Sequence, residues 1–167
     1  MKKKISAVMA FTIAILASIP TTASATAYLG TGANVDSSGH LDWDYDTTYY
    51  AMTVWGMNLW NGYKSGVIRK DTAWIIEDIF VTDINSSSAG YYGYRDKDAA
   101  TIYFNIYSME SLSTSEQMSV AAHELGHALG LGHNPNNSNA VMTSQHYFPI
   151  SLTQDDKDSY DAAAALY

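Results

Sequence analysis

The chain of 167 residues contains no cysteine. That absence excludes a disulfide scaffold, thiolate metal sites, iron–sulfur clusters and cysteine nucleophiles. Positive charge is also scarce: nine Lys and Arg stand against seventeen Asp and Glu, a formal net charge of −8. A nucleic-acid binder would normally show a basic face, so that class is disfavoured. No apolar run reaches the roughly 20 residues that a transmembrane helix needs. What is present is ordinary for a globular protein, with 47% hydrophobic residues. The length suits one domain rather than two.

The amino-terminal residues do not belong to that domain. Lys2, Lys3 and Lys4 precede an apolar run from Ile5 to Ile19, then Pro20 and a small-residue tract from Thr21 to Ala27. This is the layout of a secretory signal peptide, with cleavage after Ala25 or Ala27 equally compatible with the small-x-small rule. Residues 1–27 are therefore expected to be removed and residues 28–167 to form the domain. Loss of the three lysines leaves six basic against seventeen acidic residues, a net charge of −11. The expected product is a secreted, acidic monomer with no membrane anchor. Export permits disulfides. Without them, packing or a bound metal must stabilise the fold, and a metal that binds only the folded state does so by mass action.

Tyr28 to Asp42 is rich in Gly, Ser, Thr and Asn and reads as irregular. Asp46 to Trp60 places Ala51, Val54, Trp55, Asn58 and Leu59 on one face, a helix pattern, with Asp44 or Asp46 as cap and Gly62 as stop. Val67 to Arg69 is a short strand candidate, and Trp74 to Val81 a stronger one. Asn85 to Gly93 reads as a loop. Thr101 to Tyr107 alternates apolar and half-polar residues, as a strand near a sheet edge does. Ser113-Thr114-Ser115-Glu116 is a capping box that opens a helix running to about Leu129, with Gly130 ending it. Thr153 caps a last helix that runs to Leu166-Tyr167.

The chemistry lies in His123-Glu124-Leu125-Gly126-His127-Ala128-Leu129-Gly130-Leu131-Gly132-His133. His123 and His127 are four apart on the expected helix, so their side chains share a face about 5–6 Å apart. Two imidazoles at that spacing can converge on one zinc ion. A third ligand farther along a straight helix would be out of reach. Gly130 can take positive φ and turn the chain, which returns His133 to the ion. Three nitrogen ligands leave a fourth position open, the mark of a catalytic rather than structural zinc. Zinc lowers the pKa of a bound water from 15.7 toward about 7. Glu124, adjacent to His123, is placed to take that proton without being a ligand. Five residues fixed at set spacing arise by chance about once in a hundred thousand chains of this size, given ordinary residue usage.

These eleven residues resemble the long zinc signature of the metzincin endopeptidases. Ala140-Val141-Met142 resembles the Met-turn, in which Met142 would form an apolar floor beneath the metal. Leu152-Thr153-Gln154-Asp155-Asp156, leading to Leu166-Tyr167, is similar to the closing helix of the matrixin branch. Trp60-Asn61 is similar to the end of the matrixins' first helix. The resemblance implies an α+β, metzincin-like fold: a twisted mixed sheet, a backing helix, an active-site helix and a carboxy-terminal helix. It implies a secreted zinc endopeptidase acting on protein or peptide substrates. It also implies an edge strand that pairs with substrate. By position that strand is similar to Thr101 to Tyr107, which makes Tyr103, Phe104 and Asn105 candidate substrate contacts. Thr143 to Ile150 would wall the main specificity pocket, with Tyr147 and Phe148 making it apolar.

Departures from the pattern are also visible. Ser144 stands where matrixins usually carry proline, and no tyrosine is there to act as an extra ligand. The chain offers no cysteine for a thiol-based latency switch. Asp83, Asp96 and Asp98 offer the hard oxygens that calcium takes, although loop acids are more often simply solvated. His40 and His146 read as surface or packing residues, with His146 close enough in sequence to Met142 to line the cleft. Asn85 and Asn136 head weak glycosylation patterns. Two further readings stay open: a narrow peptidase on cell-wall or signalling peptides, and a secreted zinc-dependent binding protein without turnover.

Overall fold

The alternation Leu41-Asp42-Trp43-Asp44-Tyr45-Asp46 builds a strand, β1 (Leu41–Asp46), at the centre of the sheet's first half. The computed structural model describes residues 26–72 and 77–167 of the chain. The signal-peptide reading for residues 1–27 falls almost wholly outside them, as does the first half of the strand expected at Trp74 to Val81. After β1 come α1 (Tyr50–Tyr63), β2 (Ile68–Lys70), β3 (Ile79–Ile84), β4 (Gly93–Asp96) and β5 (Thr101–Asn105). A one-turn helix α2 (Ile106–Met109) leads to α3 (Thr114–Ala128), and α4 (Gln154–Ala164) closes the chain. The five strands lie in the order β2-β1-β3-β5-β4. All neighbours are parallel except β4, which runs antiparallel to β5. None of the described helices is long and apolar enough to cross a membrane.

Several expectations are corrected by this arrangement. Leu41 and Asp42 are strand rather than irregular, and Asp44 and Asp46 belong to β1 rather than to a helix cap. The helix begins four residues later than expected and has no side-chain cap of its own. Its start is organised from β3. The Asp83 carboxylate accepts bonds from the Thr47 hydroxyl, the Thr48 amide and the Thr48 hydroxyl. The helix also runs through Gly62 to Tyr63. The strand expected to end at Val81 continues to Ile84, and the expected loop up to Gly93 gives way to β4.

The correction with most consequence concerns the sheet edge. β5 lies between β3 and β4, so Thr101 to Tyr107 is not the edge. Phe104 and Asn105 are fully buried, and the chain turns helical at Ile106. Neither residue can meet a substrate. The Asn105 amide instead bonds Ser86, Tyr91 and Ser108, which secures the loop before β4. The edge on that side is β4, which pairs among the described residues only with β5.

The core sits between the sheet and the pair α1–α3. Both helices contribute small residues where they meet. A Cβ at Gly56 would lie 2.9 Å from the Ala122 amide nitrogen, closer than side chains tolerate. Close approach lets the buried Trp60 indole N–H donate to the Ala122 carbonyl at 2.9 Å. Asn61 then copies a strand partner: its side chain both donates to and accepts from the Ile68 backbone. Asp42 is buried on β1 and is matched by the Arg69 fork, at 2.9 and 2.6 Å. Such a bidentate pair satisfies a carboxylate that burial would otherwise leave uncompensated.

Gly56→Ala gains about 1 kcal/mol of helix propensity, but its methyl meets backbone rather than a flexible side chain. A net loss of about 1–2 kcal/mol is expected from overpacking. Urea unfolding would show it as a lower midpoint at unchanged slope. An equal or higher midpoint would mean that α1 and α3 can separate freely.

Candidate metal centre and cleft

Local sequence makes the ligand helix. Ser113 caps α3 through the full box: its hydroxyl accepts from the Glu116 amide while the Glu116 carboxylate accepts from the Ser113 amide. The helix ends as expected at Gly130, with φ of +90°. The Gly130 amide donates to the His127 carbonyl and the Leu131 amide to that of Gly126, both at 3.0 Å. These are the paired bonds of a Schellman turn, which needs a residue of positive φ where Gly130 stands. The turn brings His133 back to the helix face.

The three imidazoles converge. His133 Nε2 lies 3.1 Å from His127 Nε2 and 3.1 Å from His123 Nε2. The opposite ring nitrogens are engaged. His123 Nδ1 meets the Val141 carbonyl at 2.7 Å, and His127 Nδ1 meets that of Leu131 at 2.8 Å. A carbonyl can only accept, so both Nδ1 atoms carry the proton and both Nε2 atoms present bare lone pairs. Burial favours the same state by disfavouring charge, with His123 pushed down to about 4 and His127 to about 3. His133 is also lowered by burial. The two bare lone pairs of His123 and His127, aimed at one point, call for a cation or a proton donor between them. Tetrahedral zinc with bonds of 2.0–2.1 Å would separate its nitrogens by roughly 3.3–3.4 Å, close to the spacing here. The residues therefore fit zinc. Among the described residues these three histidines form the only such convergent group.

Below the triad lies the segment with Met142. A tight turn, closed by the Thr143 amide on the Ala140 carbonyl, holds Val141 and Met142 in the core. The Met142 sulfur packs on Gly126 so closely that a Cβ there would stand within van der Waals overlap. Asp156 ties this turn to α4. Its carboxylate accepts from the Val141 and Met142 amides, each at 3.0 Å, and from the Thr153 amide at 2.8 Å. One buried acid thus caps α4 and aims the Val141 carbonyl at His123. By sequence Asp156 is simply an acid in the first turn of α4. Its second task depends on a partner fourteen residues away.

Glu124 is buried beside the triad, packed against β4 where Gly93 has no side chain to obstruct it. Burial pushes its carboxyl up to about 8, opposed by the backbone N–H and the charge of Arg95. A cation held by the triad would act in the same direction as Arg95 and favour the carboxylate.

A cleft of about 750 Å³ runs past these groups, bounded by β4 on one side and by residues 143–148 on the other. Tyr147 and Phe148 line it together with His146. Tyr92 was not foreseen. Its ring stands edge-on to Phe148 at 5.6 Å and to His146 at 6.5 Å, closing an aromatic pocket. Tyr103, Phe104 and Asn105 do not line the cleft. His40 lies elsewhere, against Asp36. The suggested calcium ligands are not assembled. Asp83 is occupied at the start of α1, Asp96 holds the amides of Asp98 and Ala99, and Asp98 pairs with Lys97.

The family model for matrixins, peptidase family M10, matches residues 21–167. The chain belongs to the matrixin family. It is a zinc metalloendopeptidase of the metzincin type, with His123, His127 and His133 as its zinc-binding triad. Among solved structures, archaemetzincin from Methanopyrus kandleri is similar over 78% of this chain and 99% of its own, at 12% identity and a TM-score of 0.56. Myroilysin is similar over 81% of this chain and 86% of its own, at 14% identity and a TM-score of 0.52. Identities this low speak for the fold alone. No curated protein gives a significant match.

A pH dependence follows for this matrixin without metal. Rings with lowered pKa refuse protons that the unfolded chain accepts, so stability falls as pH drops below about 6.5. Glu124 acts oppositely: its retained proton stabilises the fold near pH 4.5, and that contribution is lost as pH rises toward about 8. Chelator-treated protein should therefore be most stable near pH 6.5, measured by urea unfolding at pH 5, 6.5 and 8. A monotonic rise from pH 5 to 8 would contradict these shifts.

Proposed function

We propose that this matrixin is a secreted endopeptidase in which Glu124 serves first as general base and then as general acid. The observation that carries the reading is the position of Glu124: its carboxylate is buried beside three converging imidazoles, two of them with an unprotonated Nε2, and faces an open cleft. Bound zinc supplies a Lewis acid that acidifies water and polarises a carbonyl. Glu124 then accepts the proton at a carboxylate oxygen and delivers it to the departing amine nitrogen. Burial suits both tasks, because a carboxyl whose pKa is drawn toward neutrality both takes and returns a proton readily.

The substrate is proposed to lie extended along β4, the edge strand. Added as a further strand, it gains affinity from backbone bonds and selectivity from side-chain pockets. The aromatic pocket of Tyr92, His146, Tyr147 and Phe148 suits an apolar side chain of the substrate. Secretion rests on the amino-terminal pattern: a basic start, the apolar run Ile5 to Ile19 and the small residues up to Ala27. Both candidate cleavage points precede Tyr28, whose amide bonds Ser159. Removal of residues 1–25 or 1–27 would leave that contact in place.

Glu124→Gln should keep zinc at wild-type stoichiometry while kcat falls by roughly 10²–10⁴, the usual worth of a positioned acid–base group. Cleavage at the wild-type rate would remove Glu124 from the mechanism. A chelator should abolish cleavage of unfolded protein substrates, and added zinc should restore it. Cleavage that survives full zinc removal would overturn the proposal.

A further inference from the structure

Arg95 stands on β4 with its side chain half-buried, and its guanidinium is held by neutral partners. Nε and Nη2 both donate to the Asn34 side-chain oxygen, and Nη1 donates to the Gly32 carbonyl at 3.1 Å. Gly32 and Asn34 belong to the amino-terminal strap, residues 28–34, which crosses the turn after α3. The strap makes three backbone bonds of 2.8 Å there: Asn34 amide to Ala128 carbonyl, Gly30 amide to Gly130 carbonyl, and Gly132 amide to Tyr28 carbonyl. Those carbonyls and amides flank the segment that carries His127 and His133.

The two backbones approach more closely than side chains would allow. A Cβ on Gly30 would stand 2.7 Å from the Leu131 oxygen, and one on Gly132 would stand 2.5 Å from that of Leu29. Yet Leu29, Gly30, Thr31 and Gly32 are exposed. No apolar burial presses the middle of the strap into place, so hydrogen bonds must. Beyond Gly30, the Asn34 amide bond to the Ala128 carbonyl and the Arg95 fork hold it. The same residue also bears on the other half of the site: its backbone N–H and its charge favour the Glu124 carboxylate, against the rise that burial causes.

We infer that Arg95 and Asn34 are positioning residues for the zinc centre, acting through the strap on the His127–His133 turn. The inference rests on the zinc reading of the triad. Lysine could replace the charge but not the planar fork that grips two acceptors. The arrangement is an outer support of the kind whose loss typically costs 10–100-fold in metal affinity.

The test uses the full chain and needs no peptidase activity. Zinc affinity would be measured by competition with a chromophoric chelator, and ligand geometry by the visible spectrum of the cobalt-substituted protein. Arg95→Ala and Asn34→Ala should each weaken zinc binding roughly tenfold or more and alter the cobalt bands. The double variant should be no worse than the weaker single variant, since both remove one interaction. Lys97→Ala, next along the chain with an exposed side chain, should stay within about twofold on the same scale. If Arg95→Ala fails to fold, Arg95→Lys replaces it, with the same loss expected. Unchanged zinc affinity with an unchanged cobalt spectrum in both single variants would overturn the inference, as would additive losses in the double variant. A native chain that binds zinc and responds as above, yet cleaves nothing, would defeat the peptidase proposal and leave this one standing.

Discussion

Two carbonyl oxygens decide what this site is. Those of Val141 and Leu131 accept from His123 and His127 at the inner ring nitrogens. By doing so they fix the tautomer and direct two lone pairs at a common point. Each carbonyl needs its own support. Val141 is held by Asp156, which links the turn around Met142 to the start of α4. Leu131 is held by the Schellman turn at Gly130 and by the bridge to Leu29 in the strap. Much of the lower half of the domain thus serves to orient two backbone groups.

The upper half imposes the second constraint, which is room. Gly56 brings α1 against α3, Gly126 admits the Met142 sulfur, and Gly93 admits the Glu124 carboxylate. At each of these points a single Cβ would collide with an atom the site requires. Glycine is used here for closeness rather than for flexibility. At Gly130, in contrast, positive φ is the reason.

The zinc centre was largely legible because its information is local. Helix spacing, a cap at Ser113 and a glycine stop all lie within twenty-one residues of chain, and each follows from short-range geometry. The sheet was less legible because strand order is a long-range property. Thr101 to Asn105 has a half-polar face that imitates an edge, yet its polar residues serve internal partners: Asn105 secures the loop before β4. That strand itself, Gly93-Tyr94-Arg95-Asp96, follows a Ser- and Gly-rich loop and carries almost no apolar signal. β1 carries an alternation, but its aspartates Asp44 and Asp46 are also of the residue type that caps helices. The true organiser of α1 is Asp83, thirty-five residues beyond Thr48. Arg95 was invisible for the same reason, since its role depends on a strap sixty-one residues earlier.

X-ray absorption at the zinc edge tests the central claim most directly. The account predicts a first shell of three imidazole nitrogens at about 2.0–2.1 Å and one further light atom, in four-coordinate geometry. It predicts no sulfur, since the chain has no cysteine and Met142 lies packed on Gly126. A zinc–sulfur shell near 2.3 Å, the distance of a sulfur ligand, or a shell with fewer than three imidazoles, would contradict it.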